Sequence, residues 1–387
     1  MDNTSLYRVT QAGGVELLGR LVHGPGTYEH RLVPELDIPG WMMGLEGNGH
    51  FHDLPFFFED LFPQGWLGTC VAQGAAKLQS WSTTRRLDFV TTEGFDLPGD
   101  LLVGERSREA FGCWRPEPIS ADPDALDEVA EQALDSCPFG IPGPLSLVGG
   151  AKPKFSAYVG GRWVIVKPTP LSNRRVCDLL RAEHLALDTL AAAGVAAAES
   201  HIHETEGYLH FETVRFDRAG TRGRLPVISL RAVDMEYAGV GHGWAATLNA
   251  LRQEALVTDE AVATGRLLHW FGMLIENTDM HSGNLSLVPR GDGRFDLAPA
   301  YDMLPMRYVL FSGDLTNPPR LRIPARDDED GQWERAVRLA HRFWTRVESE
   351  PRISADFRAL AANRALALEQ VMATDAEDNV FSPGEQG

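Results

Sequence analysis

The sequence has few cysteines, and none of them are paired at close spacing. Four are present in a chain of 387 residues, Cys70, Cys113, Cys137 and Cys177. A structural zinc site needs closely spaced Cys or His ligands, and disulfide scaffolds are typical of short secreted chains. The cysteine pattern therefore predicts neither kind of site and fits a reducing cytoplasm.

Basic residues are also scarce relative to acidic ones. The chain has 36 Lys and Arg against 54 Asp and Glu, and its formal net charge is −18. Nucleic-acid phosphates bind basic surfaces, so this balance disfavours direct binding to nucleic acid. We expect any contact with DNA to be made through a partner protein.

Long apolar runs are missing as well. No stretch approaches the roughly 20 apolar residues of a membrane-spanning helix. The first residues, MDNTSLYRV, have neither the basic nor the apolar segment of a signal peptide. With 43% hydrophobic residues the chain can bury a large core. The sequence thus predicts a globular cytoplasmic protein without membrane insertion.

Turn residues and periodicity divide the chain into four parts. Residues 1–115 mix short apolar segments with turns and are predicted to form a small α+β subdomain. Residues 116–225 carry a glycine-rich loop, a hairpin and a strand at 208–216. Residues 226–375 are mainly helical, and residues 376–387 are expected to be a flexible tail. The predicted helices span 122–136, 173–193, 258–276, 332–348 and 354–373.

The strongest chemical signal follows the apolar helix predicted at 258–276. The sequence there reads NTDMHSGN, in which Asp279 and Asn284 are five residues apart. A protein-kinase catalytic loop has the same spacing. Its aspartate orients the attacking hydroxyl or accepts its proton, and its asparagine oxygen holds Mg²⁺ on the phosphates. Asp279 is therefore the predicted catalytic residue and Asn284 a predicted metal ligand.

Asp302 is the second predicted Mg²⁺ ligand. A strand, turn and strand between residues 286 and 297 would return the chain so that Asp302 faces Asn284 across one metal. The kinase Asp-Phe-Gly segment supplies its aspartate in this way, although Met-Leu follows the aspartate here.

An alternative interpretation of the loop is a turn that caps its own backbone through Asp279, His281 and Asn284. The flanking helix, the hairpin and Asp302 together favour the catalytic interpretation. We expect His281 to lie beside the nucleotide and to have a structural role there. No third or fourth ligand has the spacing that a zinc site at His281 would need.

An ion pair is predicted between Lys167 and Glu183. Lys167 ends the apolar strand RWVIVK, and Glu183 falls on the apolar face of the helix at 173–193. A carboxylate on such a face needs a partner, because burying it unpaired is costly. Kinases position ATP phosphates with a strand lysine and a helix glutamate. A snorkelling lysine and a solvated glutamate remain open alternatives at this point.

Two further segments are candidates for contacting the nucleotide. The loop SLVGGAKPK is rich in small residues whose N–H groups can approach phosphate oxygens, although an ordinary turn would have the same composition. Its candidate residues are Gly149, Gly150, Ala151, Lys152 and Lys154. After the strand at 208–216, the segment ETVRFDR lies where the link between kinase lobes binds adenine, which makes Val214 and Phe216 candidates by position.

In this order the motifs resemble the HipA family of serine/threonine kinases, which are toxins of bacterial toxin-antitoxin systems. The matching segments are Ser146–Phe155, Val166–Pro168, Val214–Arg218, Asp279–Asn284 and Ala300–Asp302. The phrases FPQG at 62–65 and DLPG at 96–99 resemble the HipH-like branch. The resemblance implies an α+β fold, bilobal and protein-kinase-like, with an additional N-terminal α+β subdomain and a mainly helical C-lobe.

The resemblance also implies a function. It suggests ATP and Mg²⁺ as cofactors and phosphorylation of a protein, often an aminoacyl-tRNA synthetase in relatives, to slow growth. A DNA-binding antitoxin would be the partner. Asp279, Asn284 and Asp302 would be the catalytic and metal-binding residues, Lys167 the phosphate-binding lysine, and Ser146 an autophosphorylation candidate. The sequence departs from the family pattern at two positions. Lys152 stands where the family usually has Gln, and Ser146 lies one residue further from the Pro-Lys pair than the serine of the best-studied members.

Two other functions remain open. Asp-x-His-x-x-Asn also resembles the loop of aminoglycoside and choline kinases, so a small-molecule kinase is an alternative. Residues 1–115 and the Pro-Lys loop weigh against it. A non-catalytic regulatory protein on a kinase fold, associated with DNA through a partner, is the second alternative. Occupation of all the expected catalytic positions argues against that reading.

Overall fold

A computed structural model of the chain describes residues 3–23, 29–35, 38–62, 82–119, 123–135, 154–324 and 331–380. The N-terminal unit contains a five-stranded antiparallel sheet in the order β4-β3-β2-β1-β5. Its strands are β1 (Asn3–Val9), β2 (Val15–His23), β3 (His30–Pro34), β4 (His50–Phe51) and β5 (Leu101–Val103). The described part of the unit also contains helices α1 (Thr83–Glu93) and α2 (Gly104–Cys113) and 3-10 helices at Gly40–Met43, Phe56–Leu61 and Gly94–Asp96.

A second five-stranded sheet follows, in the order β6-β7-β8-β10-β9. Its strands are β6 (Pro118–Ile119), β7 (Phe155–Val159), β8 (Arg162–Pro170), β9 (Ser200–Glu204) and β10 (Tyr208–Val214). Gly160 and Gly161 have positive φ, which permits the tight β7–β8 turn. Successive side chains of a strand point to opposite faces. Helix α3 (Pro123–Asp135) contacts His210 on one face, whereas α4 (Arg174–Ala192) contacts Lys167 on the other.

The second half of the chain is mainly helical. The helices are α5 (Leu230–Val233), α6 (Trp244–Gln253), α7 (Asp259–Leu274), α8 (Gln332–Ser349) and α9 (Ala355–Val380), with a π-helical turn at Asp234–Ala238 and 3-10 helices at Ser282–Asn284 and Met306–Tyr308. The short strands are β11 (Arg218–Ala219), β12 (Gly223–Arg224), β13 (Ile228–Ser229), β14 (Ser286–Pro289) and β15 (Phe295–Leu297). Trp344 of α8 donates its indole N–H to the Leu274 carbonyl at 3.1 Å, which ties α8 to the end of α7.

The five predicted helices are present as α3, α4, α7, α8 and α9. Local signals explain their starts: the Asn173 side chain caps α4, and the Thr258 hydroxyl caps α7. Helix α9 continues to Val380, into the segment predicted as a tail, while residues 381–387 lie outside the described part. None of the described helices has an apolar stretch long enough to cross a membrane.

Buried charges join the N-terminal unit to the second sheet. The Arg215 guanidinium lies 3.1 Å from the Asp96 carboxylate and 2.9 Å from that of Asp217. Arg218 contacts the same two carboxylates at 2.8 and 2.7 Å. All four side chains are at most 9% exposed. We call these four residues the junction cluster. It fixes the chain that follows β10 against the 3-10 helix Gly94–Asp96.

Candidate functional site

Lys167 and Glu183 form the ion pair that the apolar face of α4 predicted. The Lys167 Nζ atom lies 2.8 and 3.0 Å from the two Glu183 carboxylate oxygens. The side chains are 10% and 1% exposed. Because the Glu183 carboxylate is buried, this two-oxygen contact compensates its loss of hydration and fixes the direction of the lysine.

Asp302 meets the same lysine. Its Oδ1 atom lies 2.5 Å from Lys167 Nζ, across 135 positions of sequence. Asp302 has φ +52°, a left-handed conformation that costs a non-glycine residue about 1 kcal/mol or more. Asn277 holds this backbone by donating its side-chain amide to the Asp302 carbonyl at 3.1 Å. Such locally unfavourable backbone is concentrated at functional sites.

The electrostatics keep both Lys167 and Asp302 charged. Burial by itself lowers the pKa of Lys167, but the Asp302 and Glu183 carboxylates outweigh it and hold that pKa above its usual range. Burial raises the pKa of Asp302, but Lys167 and Lys154 outweigh it and hold that pKa below its usual range. Lys154, a candidate phosphate-binding residue, is buried and lies close enough to Asp302 to lower the pKa of that carboxylate. We call Lys167, Glu183 and Asp302 the cleft cluster.

Asp279 and Asn284 belong to one tightly bonded loop. The Asp279 N–H donates to the Asn277 side-chain oxygen at 3.0 Å, and the Asn284 side-chain amide donates to the Asp279 carbonyl at 2.8 Å. Since the Asn284 NH₂ group is bound in this way, its oxygen is the atom left to face a metal. The Asp279 side chain is half exposed, so its carboxylate is accessible from solvent.

His281 has a defined proton position. Its Nδ1 atom lies 3.1 Å from the Gly283 N–H and 3.3 Å from Arg231 Nη2, and both of these groups can only donate. The ring proton is therefore on Nε2, which faces Asp279 Oδ1 at 3.8 Å. Partial burial lowers the pKa of His281, so the ring is neutral near pH 7.

Tyr301, the residue before Asp302, contacts the loop that carries Asp279 and Asn284. Its hydroxyl donates to the Gly283 carbonyl at 3.0 Å and shares a 2.7 Å hydrogen bond with Ser286 Oγ. Burial raises the pKa of Tyr301. The Phe216 ring lies against the Tyr301 ring with a centroid distance of 5.9 Å. The structure therefore places Phe216, a candidate from the sequence, beside the same loop.

A buried network behind the loop was missed by the sequence analysis. Glu276 has φ +59° and accepts from Arg307 Nη1 at 2.6 Å, Arg364 Nε at 2.7 Å and the Tyr308 hydroxyl. It joins the end of α7, the segment after Asp302 and helix α9. A carboxylate that directly follows an apolar helix was the available signal, since it needs a partner when buried.

The remaining candidate residues are Val214 and those of the glycine-rich loop. Val214 ends β10, and its N–H already donates to the Glu199 carbonyl at 2.8 Å, so only its carbonyl is left for an adenine contact. The candidates from the glycine-rich loop, Ser146, Gly149, Gly150, Ala151 and Lys152, lie outside the described residues.

Comparisons with known proteins show the family of this chain. The family model of the HipA-like C-terminal domain matches residues 146–372, more than half of the chain. The chain belongs to the HipA-like family. The model of the YjjJ-like toxin middle domain matches residues 1–112. Toxin YjjJ of Escherichia coli K12 is 33% identical over 347 residues, which cover 85% of this chain and 77% of that protein.

A solved structure shows the fold of the family. It is the Shewanella oneidensis MR-1 toxin-antitoxin complex of HipA, HipB and operator DNA, with a TM-score of 0.62 and 16% identity. The match covers 97% of this chain and 99% of that chain. The predictions of a HipA-like family and of an α+β, kinase-like fold are confirmed.

Proposed function

We propose that this HipA-like chain is an ATP-dependent protein kinase that transfers phosphate to a serine or threonine hydroxyl. The main support is Lys167, a buried ammonium held between Glu183 and Asp302. Kinase-fold enzymes use a lysine paired in this way for ATP phosphates and an aspartate at the Asp302 position for metal. The bonded loop that carries Asp279 and Asn284 supplies the remaining groups that phosphoryl transfer needs.

The residues present fit a Mg²⁺ ion bound to ATP. Asn284 would offer its side-chain oxygen, and Asp302 its carboxylate, which is ionised and 24% exposed. When bound, Mg²⁺ neutralises phosphate charge. Glu183 orients the Lys167 ammonium in advance, so that it can stabilise phosphate charge without reorganisation at the moment of reaction.

Asp279 would act on the substrate hydroxyl. The hydroxyl oxygen bonds to the γ-phosphorus, the bond to the β-phosphate oxygen breaks, and Asp279 accepts the hydroxyl proton. Its half-exposed side chain supports this role, because a protein substrate must reach it.

The relatives suggest a biological setting. Toxin YjjJ is named a toxin, and HipA is in complex with HipB and operator DNA. We therefore propose that this chain is a cytoplasmic toxin that slows growth by phosphorylating a protein such as an aminoacyl-tRNA synthetase, and that a DNA-binding antitoxin binds it. The net charge of −18 supports DNA contact through that partner.

The proposal includes the division of the chain and its glycine-rich loop. The N-terminal subdomain would span 1–115, the N-lobe 116–225 and the C-lobe 226–375; the family matches at 1–112 and 146–372 are in keeping with this division. Gly149, Gly150, Ala151, Lys152 and Lys154 would contact the phosphates, with Val214 and Phe216 near adenine. Ser146 would be an autophosphorylation site.

The test is transfer of labelled γ-phosphate from Mg-ATP to the chain itself or to a protein in cell lysate. Wild type should transfer phosphate, and Asp279→Asn should abolish transfer. Asp292→Asn is the matched control, because Asp292 is an exposed residue of the β14–β15 turn. Transfer that persists in Asp279→Asn would remove the assigned role of that residue. A labelled small molecule in place of a labelled protein would instead support the small-molecule kinase.

A further inference from the structure

The N-terminal unit touches helix α5 through two neighbouring carboxylates. Asp60 accepts a hydrogen bond from the Ser229 N–H at 2.6 Å, directly before α5. Glu59 Oε1 lies 3.4 Å from Arg231 Nη1. Both carboxylates come from the 3-10 helix Phe56–Leu61, so one short element of the N-terminal unit contacts both the start of α5 and its arginine.

Helix α5 in turn touches the catalytic loop. The Leu230 N–H donates to the Leu285 carbonyl at 2.8 Å, next to Asn284. Arg231 Nη2 lies 3.3 Å from His281 Nδ1. A guanidinium has no acceptor, so His281 Nδ1 must be the acceptor and must carry no proton. Arg231 therefore connects the N-terminal unit to the residue that faces Asp279.

Gly283 leaves the space that this arginine occupies. A Cβ at position 283 would lie 2.6 Å from Arg231 Nη2 and 3.0 Å from the His281 ring. The backbone of Gly283 also donates to His281 Nδ1 at 3.1 Å. A side chain here would meet the flexible end of Arg231 first, so it would displace the guanidinium rather than the fold.

We propose that Arg231 is a positioning residue for phosphoryl transfer, which keeps the His281 proton on Nε2 toward Asp279 and is itself held by Glu59 of the N-terminal unit. This inference rests on the proposed function and gives the N-terminal unit a role in it. Side chains that orient metal-ligating residues contribute about 10–100-fold to affinity or activity, and we expect about tenfold from the contact of Arg231 with His281. The sequence motifs did not indicate Arg231, because it lies outside the catalytic-loop segment.

Two measurements on the full chain test the proposal. The first reads the His281 tautomer from the imidazole nitrogen shifts of the ¹⁵N-histidine-labelled chain at pH 8, assigned by comparison with His281→Gln. Wild type should show the Nε2–H tautomer. Arg231→Met and Gly283→Ala should both reduce this preference, because the Gly283 backbone N–H then remains as the donor to Nδ1 without the guanidinium. Glu59→Gln should reduce it less, and Arg231→Lys, which keeps a side-chain donor, should retain more of it than Arg231→Met.

The second measurement is steady-state phosphoryl transfer. Arg231→Met should lower kcat about tenfold while the KM for ATP stays within about twofold, because the contact acts on the loop and not on the nucleotide. The control is Arg252→Met, an exposed arginine of α6 paired with Asp259 at 3.3 Å. It should change neither the tautomer nor kcat, and an equal loss in this control would overturn the proposal.

The two measurements separate the inference from the proposed function. If Arg231→Met keeps the wild-type tautomer and kcat, the inference is wrong while the kinase proposal stands. If Arg231→Met does not fold, Gly283→Ala decides, since it displaces the same contact from another residue. If wild type transfers no phosphate, the kinase proposal is wrong, and the tautomer measurement still decides whether Arg231 orients His281.

Discussion

The junction cluster and the cleft cluster both place a buried cation between carboxylates, yet they differ in access to solvent. In the junction cluster, Arg215 and Arg218 share Asp96 and Asp217, and all four side chains are at most 9% exposed. In the cleft cluster, Lys167 is shared by Glu183 and Asp302, and the Asp302 side chain is 24% exposed. A ligand can reach one cluster and not the other.

The difference shows that a buried ion pair alone does not indicate a functional site. Perturbed ionisable groups occur in structural networks as well as in active sites. Burial raises the pKa of Asp217, but Arg215 and Arg218 outweigh it, so that pKa lies below its usual range, as the pKa of Asp302 does. The cleft cluster is distinguished by the left-handed backbone of Asp302 and by the adjacent loop, whose Asp279 side chain is half exposed.

The largest predicted effect is on the junction cluster. Arg215→Met would leave Arg218 as the one cation of the junction cluster for both Asp96 and Asp217, and breaking a buried ion pair costs about 3–5 kcal/mol. Urea unfolding should show this loss in the free energy of unfolding. Arg290→Met is the control, because the Arg290 pair with Asp296 is exposed and is expected to contribute less than about 1 kcal/mol. An equal loss of unfolding free energy in the two variants would show that the buried pairs of Arg215 stabilise the fold no more than the exposed pair of Arg290.

The next effect is on the cleft cluster and concerns activity. Lys167→Met should lower phosphoryl transfer by about 10²–10³-fold, since it removes a charge aimed at phosphate. It should also destabilise the fold, because Glu183 is left buried without its ammonium. The double variant Lys167→Met/Glu183→Gln should recover stability without recovering activity. Recovery of activity in the double variant would show that the lysine is structural, as Arg215 is.

The smallest effect concerns Asp100, a buried carboxyl beside the junction cluster. Burial raises its pKa to about 6 despite the nearby Arg8, Arg224 and Arg218. Its pKa in the unfolded chain is about 4. The folded state therefore binds the proton more tightly, and stability falls as pH rises from about 4 to about 6.

Asp100→Asn should consequently stabilise the fold by about 2–3 kcal/mol at pH 7.5 and have little effect at pH 4. Denaturant unfolding at the two pH values measures this difference. The same gain at both pH values would mean that the charge of Asp100 is not its cause. In the cleft cluster, by contrast, Asp302 stays ionised over this whole range because Lys167 and Lys154 lower its pKa.

Features that depend on neighbours along the chain were predictable. Helix α7 begins at Thr258, whose side chain caps it, and continues with Asp259 and Glu260 in its first turn. The turn between β7 and β8 follows from two glycines. Glu183 could be assigned a partner because helical periodicity placed it on an apolar face, where a carboxylate must be paired.

Other features depend on which segments the topology brings together. Asp302 was predicted opposite Asn284, but its bond to Lys167 joins residues 135 positions apart. Arg231 reaches His281 across 50 positions, and Arg215 reaches Asp96 across 119. Periodicity and spacing describe one helix, strand or turn at a time. Contacts between distant segments are set by how sheets and helices pack, so the Lys167–Asp302 contact, the junction cluster and the role of Arg231 emerged only from the folded chain.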